Sequence, residues 1–96
     1  MTIRVVARLI AKPDQIEAVK AVTLSVLEPT RQEPGCLRYE LHQNLQDPTD
    51  FTFIEEWESE AALETHLQAP HIQQGMAKLE GIVAVMPDIR RYQLLG

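Results

Sequence analysis

Between Phe51 and Ile72 the sequence gathers both phenylalanines, the only tryptophan and two of the three histidines. An indole face stacks on a planar ring while its N–H donates a hydrogen bond, and an imidazole takes up and returns protons near neutral pH. Trp57 shares a strand face with Phe51 and Phe53, so it is either a wall against which a planar substrate stacks or a core tryptophan. His66 falls nine positions later, beside Leu63 and Leu67 on a helical apolar stripe, where a histidine serves either as a base or as a hydrogen-bonded core residue. His71 follows Pro70 and either caps or lines the start of the next helix. His42 shares a polar row with Arg38 and Glu40, the pattern of a solvated or interface face.

Other chemistries lack their residues. The four glycines, at 35, 75, 81 and 96, build no phosphate-cradling loop or dinucleotide fingerprint. Ser25 and Ser59 have no nucleophile-elbow context. A single cysteine, Cys36, provides neither a disulfide framework nor a multi-thiolate metal site and reads as a small, half-buried strand residue. An enzyme of this sequence is therefore expected to work with no cofactor and no metal. Glu55 and Glu56 point to opposite sheet faces and cannot act as one carboxylate pair; one of them is expected to meet Arg4 or Arg8. The rest of the acidic stretch to Glu64 reads as solvated surface with favourable helix-end charge.

The elements that must position these residues follow from periodicity. Ile3, Val5, Ala7 and Leu9 alternate with their neighbours as a first strand. Lys12-Pro13-Asp14 opens a helix carrying Ile16, Val19, Val22, Val26 and Leu27, which Pro29 kinks or ends. After Pro34-Gly35, Cys36 to Asn44 alternates again, with Leu37, Tyr39 and Leu41 on one face and Arg38, Glu40 and His42 on the other. Asp47-Pro48-Thr49-Asp50 turns the chain into the strand of Phe51, Phe53, Glu55 and Trp57. Ser59 caps a short helix from Glu60 to Gln68, Ala69-Pro70 interrupts it, and Ile72, Met76 and Leu79 continue a helical stripe to Gly81. Pro87-Asp88 precedes a last strand, Ile89 to Leu95.

Strand, helix, strand, strand, helix, strand is the split βαβ order of an α+β, ferredoxin-like domain with a four-stranded antiparallel sheet. Both helices then cover one face, and the apolar residues of the other predict a homodimer formed through the sheet. At 96 residues and 10.9 kDa the chain fits a single domain over 1–96. A net charge of -5 with scattered basic residues argues against nucleic acid and anionic membrane as partners. No run approaches the ~18 apolar residues of a membrane span, and the amino terminus has no signal-peptide pattern, so a cytoplasmic setting is expected.

The run Pro34-Gly35-Cys36-Leu37, Tyr39-Glu40-Leu41, Asp47-Pro48, Phe51, Glu55-Glu56-Trp57-Glu58-Ser59, Ala62-Leu63, His66-Leu67 and Pro70-His71 resembles the antibiotic biosynthesis monooxygenase domain family over nearly the whole chain. That resemblance implies a dimeric α+β barrel with a pocket between helices and sheet in each subunit. It also implies oxygenation of a small electron-rich aromatic, a phenol or hydroquinone, by O2 without flavin or metal. In that reading His66 is the base, Trp57 and Phe53 hold the ring, His71 lines the site, and Arg38 or Tyr39 steadies the phenolate. The family's polyketide-quinone-forming type carries an asparagine four positions before the tryptophan, where this chain has Phe53. The fold group also includes haem-degrading monooxygenases and an isomerase of a phosphorylated signalling compound. The alternatives are thus a haem-binding, haem-degrading protein with His66 on the iron, or a non-enzymatic dimeric small-molecule-binding module. Haem-degrading relatives place an asparagine before the first-strand arginine; Ala7 precedes Arg8 here.

Overall fold

The computed structural model describes all 96 residues. The elements run β1 (Ile3–Ala11), α1 (Ile16–Ser25), α2 (Leu27–Arg31), β2 (Cys36–Gln43), β3 (Asp50–Trp57), α3 (Glu60–Gln68), α4 (Pro70–Leu79) and β4 (Val83–Tyr92). The strands form one antiparallel sheet in the order β2-β3-β1-β4, the ferredoxin-like topology expected from the element order. Odd-numbered residues of β1 and β3 point under the helices. Ile3, Val5, Ala7, Leu9, Phe51, Phe53 and Trp57 meet Val19 and Val26 of the first helical segment and Leu63 and Leu79 of the second in a single core. Each large apolar side chain buried there contributes about 1.5–3 kcal/mol.

The register decides which side chains neighbour one another on that face. Glu55 lies between Val5 and Tyr39, Phe53 between Ala7 and Leu41, and Trp57 between Ile3 and Cys36. A bulge at Leu37 separates the pairings of Cys36 and Arg38. Two residues there oppose one, so Cys36 joins Tyr39 on the helix side and Leu37 turns outward, 58% exposed, away from the face shared by Tyr39 and Leu41.

Three boundaries differ from the sequence reading. The first helix begins at Ile16, not Lys12, because Ala11 and Lys12 extend the strand layer through bonds to Thr49 and Ile82. The helix breaks at Val26, one turn before Pro29, and resumes to Arg31. Proline has no N–H for the carbonyl four residues back and its ring crowds that carbonyl, so the disruption appears at Ser25. The last strand spans Val83–Tyr92 rather than Ile89 to Leu95, with Pro87 inside it. β4 is an edge strand whose pairing with β1 shifts register past Arg8, and an edge with such a shift tolerates a missing donor.

Gly35, at φ +86°, lies between α2 and β2, and a Cβ there would fall 2.7 Å from the Ala62 Cβ. Its carbonyl accepts from the Glu58 N–H at 2.9 Å. This close approach fixes the Glu33-Pro34-Gly35 turn against the start of α3.

Candidate active site

A cavity of about 60 Å³ lies between the sheet and the helices. Ala7, Tyr39, Phe53 and Glu55 form its floor, His66 and Leu63 come from α3, and Val26, Met76 and Leu79 close the far side. It is smaller than the ~150 Å³ that admits a benzene ring in an engineered apolar cavity, so an aromatic ligand enters only as the walls yield. Met76, the most adaptable side chain there, suits that movement. No lysine or arginine lines it.

His66 stands in the last turn of α3 and is 3% exposed. Its Nδ1 lies 2.8 Å from Oε2 of Glu33, in the turn before β2, and the same oxygen lies 3.0 Å from Nε2 of His71. The Thr30 hydroxyl is 3.1 Å from that His71 nitrogen. Convergence of the two histidines depends on the Ala69-Pro70 corner. Residues five apart on one unbroken helix point about 140° apart. Pro70 holds Ala69 extended, at φ -63° and ψ 141°, and starts a new helix whose first turn faces the last turn of α3. A carboxylate only accepts, so the His66 hydrogen sits on Nδ1 and its Nε2 carries a lone pair. Burial pulls the His66 pKa down, with Glu33 opposing, so the ring is neutral at neutral pH.

Trp57 is fully buried and does not line the cavity. Its ring lies 4.5 Å from that of His66 at an angle of 36°, and its indole N–H donates to Glu55 Oε1 at 2.8 Å. The sequence left this ring as either a stacking wall or a core tryptophan; it packs against the imidazole and fixes Glu55. Glu55 is itself 4% exposed and lines the cavity. Burial pushes its carboxyl up to about 7, with the Trp57 hydrogen bond opposing and the charge of Glu33 reinforcing. Glu55 therefore exchanges its proton near neutrality. The sequence reading passed over it as a site residue, although the alternation of β3 already set a lone carboxylate on the apolar face between Phe53 and Trp57.

Phe53 and Tyr39 line the cavity, with ring centroids 5.2 Å apart. Burial above all, and then the Glu55 charge, raise the Tyr39 pKa, so its hydroxyl stays protonated and able to donate to an oxyanion. Arg38 lies on the opposite sheet face, where its Nε is 2.8 Å from Glu56 and Arg4 is 3.3 Å from the same carboxylate. It is thus Glu56 that meets Arg4. His71 lines no part of the cavity and steadies Glu33 instead. His42 pairs with Glu40 on the exposed edge strand. Burial raises the Cys36 thiol, which therefore has little thiolate character.

The ferredoxin-like domain thus carries an apolar pocket with a carboxylate-held histidine on its wall and a protonatable glutamate beside it. Residues 2–78 match the sequence pattern of the antibiotic biosynthesis monooxygenase family, and the chain belongs to that family. The uncharacterised protein sll1783 of Synechocystis is 32% identical over 83 residues, covering 86% of this chain but 56% of its own length, so the chain spans little more than half of that relative. Rv0793 of Mycobacterium tuberculosis, provisionally named a monooxygenase, is 33% identical over 69 residues, covering 72% of this chain and 67% of its own. Its solved structure superposes with a TM-score of 0.93 at 25% identity, covering 100% of this chain and 97% of that one. A Yersinia enterocolitica isomerase of (4S)-4-hydroxy-5-phosphonooxypentane-2,3-dione is 32% identical over 72 residues, 75% of each chain.

Proposed function

We propose that this chain is a monooxygenase that oxidises a small, uncharged, electron-rich phenol or hydroquinone with O2, with His66 as the base. The observation that carries this reading is the 2.8 Å bond from His66 Nδ1 to Glu33 on the wall of an apolar cavity. A carboxylate that holds one imidazole nitrogen leaves the other as a base and stabilises the imidazolium that forms.

Ground-state O2 is a triplet, so a closed-shell organic reacts only after surrendering an electron. His66 Nε2 takes the phenolic proton, and the phenolate passes one electron to O2. The resulting phenoxyl radical and superoxide combine at a ring carbon, forming a C–O bond. The peroxide takes back a proton, its O–O bond breaks, and loss of the ring hydrogen with water leaves the quinone: one phenol and one O2 give one quinone and one water. Phe53 supplies a ring face, and the Tyr39 hydroxyl donates to the phenolate. Glu55, poised to hold or release a proton, is placed to return one to the peroxide.

A dianionic phosphate finds no counter-charge in a cavity without lysine or arginine, which argues against the phosphorylated substrate of the Yersinia isomerase. The cavity that His66 lines, about 60 Å³, is far too small for a macrocycle, which argues against haem ligation there. We infer further that two chains pair through the uncovered sheet face.

The test is oxygen uptake with a panel of 1,4-dihydroxyarenes. His66→Ala is expected to lower turnover by about 10²-fold or more, the range for a general base, with the fold retained. A variant that melts earlier yet keeps its specific activity refutes the assignment.

A further inference from the structure

We propose that Glu33, His66 and His71 form a site for a divalent transition-metal ion, Zn2+ foremost, and that filling it switches off the base on His66. One ligand atom from each of the three residues lies within 4.8 Å of the other two. The carboxylate oxygen is 2.8 Å from one nitrogen and 3.0 Å from the other. Ligands about 2.1 Å from one ion, at the angles of a tetrahedral or octahedral site, are about 3.0–3.4 Å apart. Two of the three edges thus need little adjustment. The third closes by movement of His71, a half-buried side chain in the first turn of α4, against the rigid, Trp57-packed His66.

The donor set identifies the ion. Two imidazole nitrogens with one carboxylate oxygen and no thiolate suit Zn2+, Co2+ or Ni2+, whereas Ca2+ and Mg2+ take mostly oxygen. Three protein ligands leave room for a water, and the Thr30 hydroxyl, 3.1 Å from His71 Nε2, is near enough to hydrogen-bond it. The two rings need lose no proton overall. A neutral imidazole bound through one nitrogen carries its hydrogen on the other, so the His66 hydrogen moves from Nδ1 to Nε2 as the metal takes the Nδ1 lone pair.

That shift has a functional consequence. Nε2 becomes a donor and can no longer accept a phenolic proton, so metal occupancy and base catalysis exclude each other. The inhibitory half of the inference rests on the proposed base; the binding half does not.

The test uses the full chain and Co2+ as the visible probe. Equimolar Co2+ is expected to give d–d absorption at one ion per chain, abolished by excess Zn2+. His71→Ala and His71→Gln should each weaken binding by about 10-fold or more, the glutamine retaining a hydrogen-bond partner for Glu33 if the alanine variant is unstable. His42→Ala, on the exposed edge, should bind as before. In oxygen uptake with a 1,4-dihydroxyarene, saturating Zn2+ should reduce wild-type turnover by about 10²-fold, the loss of a general base. The ratio with and without Zn2+ should approach unity in the His71 variants. Absence of a Co2+ spectrum, or one indifferent to His71, overturns the site. Binding with undiminished turnover overturns the switch. If no arene is turned over, the proposed oxygenase reading fails while the Co2+ measurements still decide the site.

Discussion

Glu33 and His66 are 33 positions apart in the chain and 2.8 Å apart in the fold, joined by a single bond from the imidazole Nδ1 to the carboxylate. The contact fixes both the tautomer and the orientation of the ring. Three local features create it: the Gly35 turn that presses Glu33 toward α3, the Ser59 cap that starts α3, and the Ala69-Pro70 corner that ends it.

Glu33→Gln is the direct probe of that bond. The amide offers an N–H as well as a carbonyl, so it no longer selects the Nδ1–H tautomer or stabilises the imidazolium. Turnover should fall by about 10²-fold with KM little changed, as expected when an interaction made mainly in the transition state is lost. The variant should also lose about 1.5–3 kcal/mol of stability, the range for a hydrogen bond to a charged group. Steady-state oxygen uptake and urea unfolding on the same preparation separate the two effects, and unchanged turnover removes Glu33 from the mechanism.

Glu55 predicts a pH signature in stability. Its carboxyl titrates at about 7 in the fold against 4.5 for an unperturbed glutamate, so between those values the folded chain keeps a proton that the unfolded chain has released. Stability from this group is therefore full below 4.5, falls as pH rises through the window, and is lost above 7. The whole difference amounts to about 3 kcal/mol. His66 acts in the opposite sense, because its pKa is lowered from 6.5 and its contribution is lost as pH falls below that value. Urea midpoints of wild type and Glu55→Gln between pH 4.5 and 8 cancel the shared histidine contribution. The two curves should diverge as pH rises, the glutamine variant becoming relatively more stable; parallel curves refute the shifted carboxyl.

Much of the architecture was legible because a period of two or of 3.6 residues is a local property. Alternation gave β1, β2 and β3, and Ser59 and Ala69-Pro70 marked both ends of α3. The edge strand β4 was partly missed because Pro87 resembles a boundary, and only an edge with a shifted register accommodates it. At the site, the strand face of Phe53 and the helical stripe beside His66 were legible in spacing, while their roles came from the family resemblance. Alternation set Arg38 and Tyr39 on opposite faces without saying which lies under the helices, and it put Leu37 with Tyr39, which the bulge at Leu37 reverses. Trp57 stayed open between wall and core because alternation gives the face of a strand, not whether a helix leaves a gap above it. Glu33 was invisible, since nothing in a turn of Glu-Pro-Gly names a partner 33 residues away. Glu55 was visible as a carboxylate in an apolar row, a pattern that burial makes costly unless the group is neutral or bonded.

Gly35→Ala tests the turn that delivers Glu33. The left-handed conformation at φ +86° disfavours any Cβ, and the added methyl falls 2.7 Å from the Ala62 Cβ, well inside contact distance. Backbone strain alone costs about 1–3 kcal/mol, and the clash adds to it. The urea midpoint should drop without a change in the slope of unfolding. Since relief of the clash moves Glu33 relative to His66, turnover should fall as well. Gly81→Ala also has a positive φ, +87°, but nothing within 4 Å of the added methyl, so it should destabilise the chain with little effect on turnover.

The last expectation concerns the uncovered sheet face. Val6, Ile10 and Ile54 sit there half-buried, bordered by the Arg4 and Arg38 pairs to Glu56 and by Arg8 bonded to Asp50. Val85, Met86, Tyr92, Leu94 and Leu95, from β4 and the residues after it, are exposed. Apolar surface of this extent on a chain of 96 residues favours association, and a two-fold pairing of identical sheets buries it with one closed interface. Light scattering at micromolar concentration should give twice the 10.9 kDa monomer mass. Ile54→Asp places a charge at the centre of the face, pairing across the sheet with Val6 and Glu40, and is expected to weaken dimerisation by 10-fold or more. Leu94→Asp tests the contribution of the carboxy-terminal segment in the same way. A wild-type chain that scatters only as a 10.9 kDa monomer sinks the pairing outright. A dimer indifferent to Ile54→Asp but broken by Leu94→Asp moves the interface from the sheet face to the β4 edge.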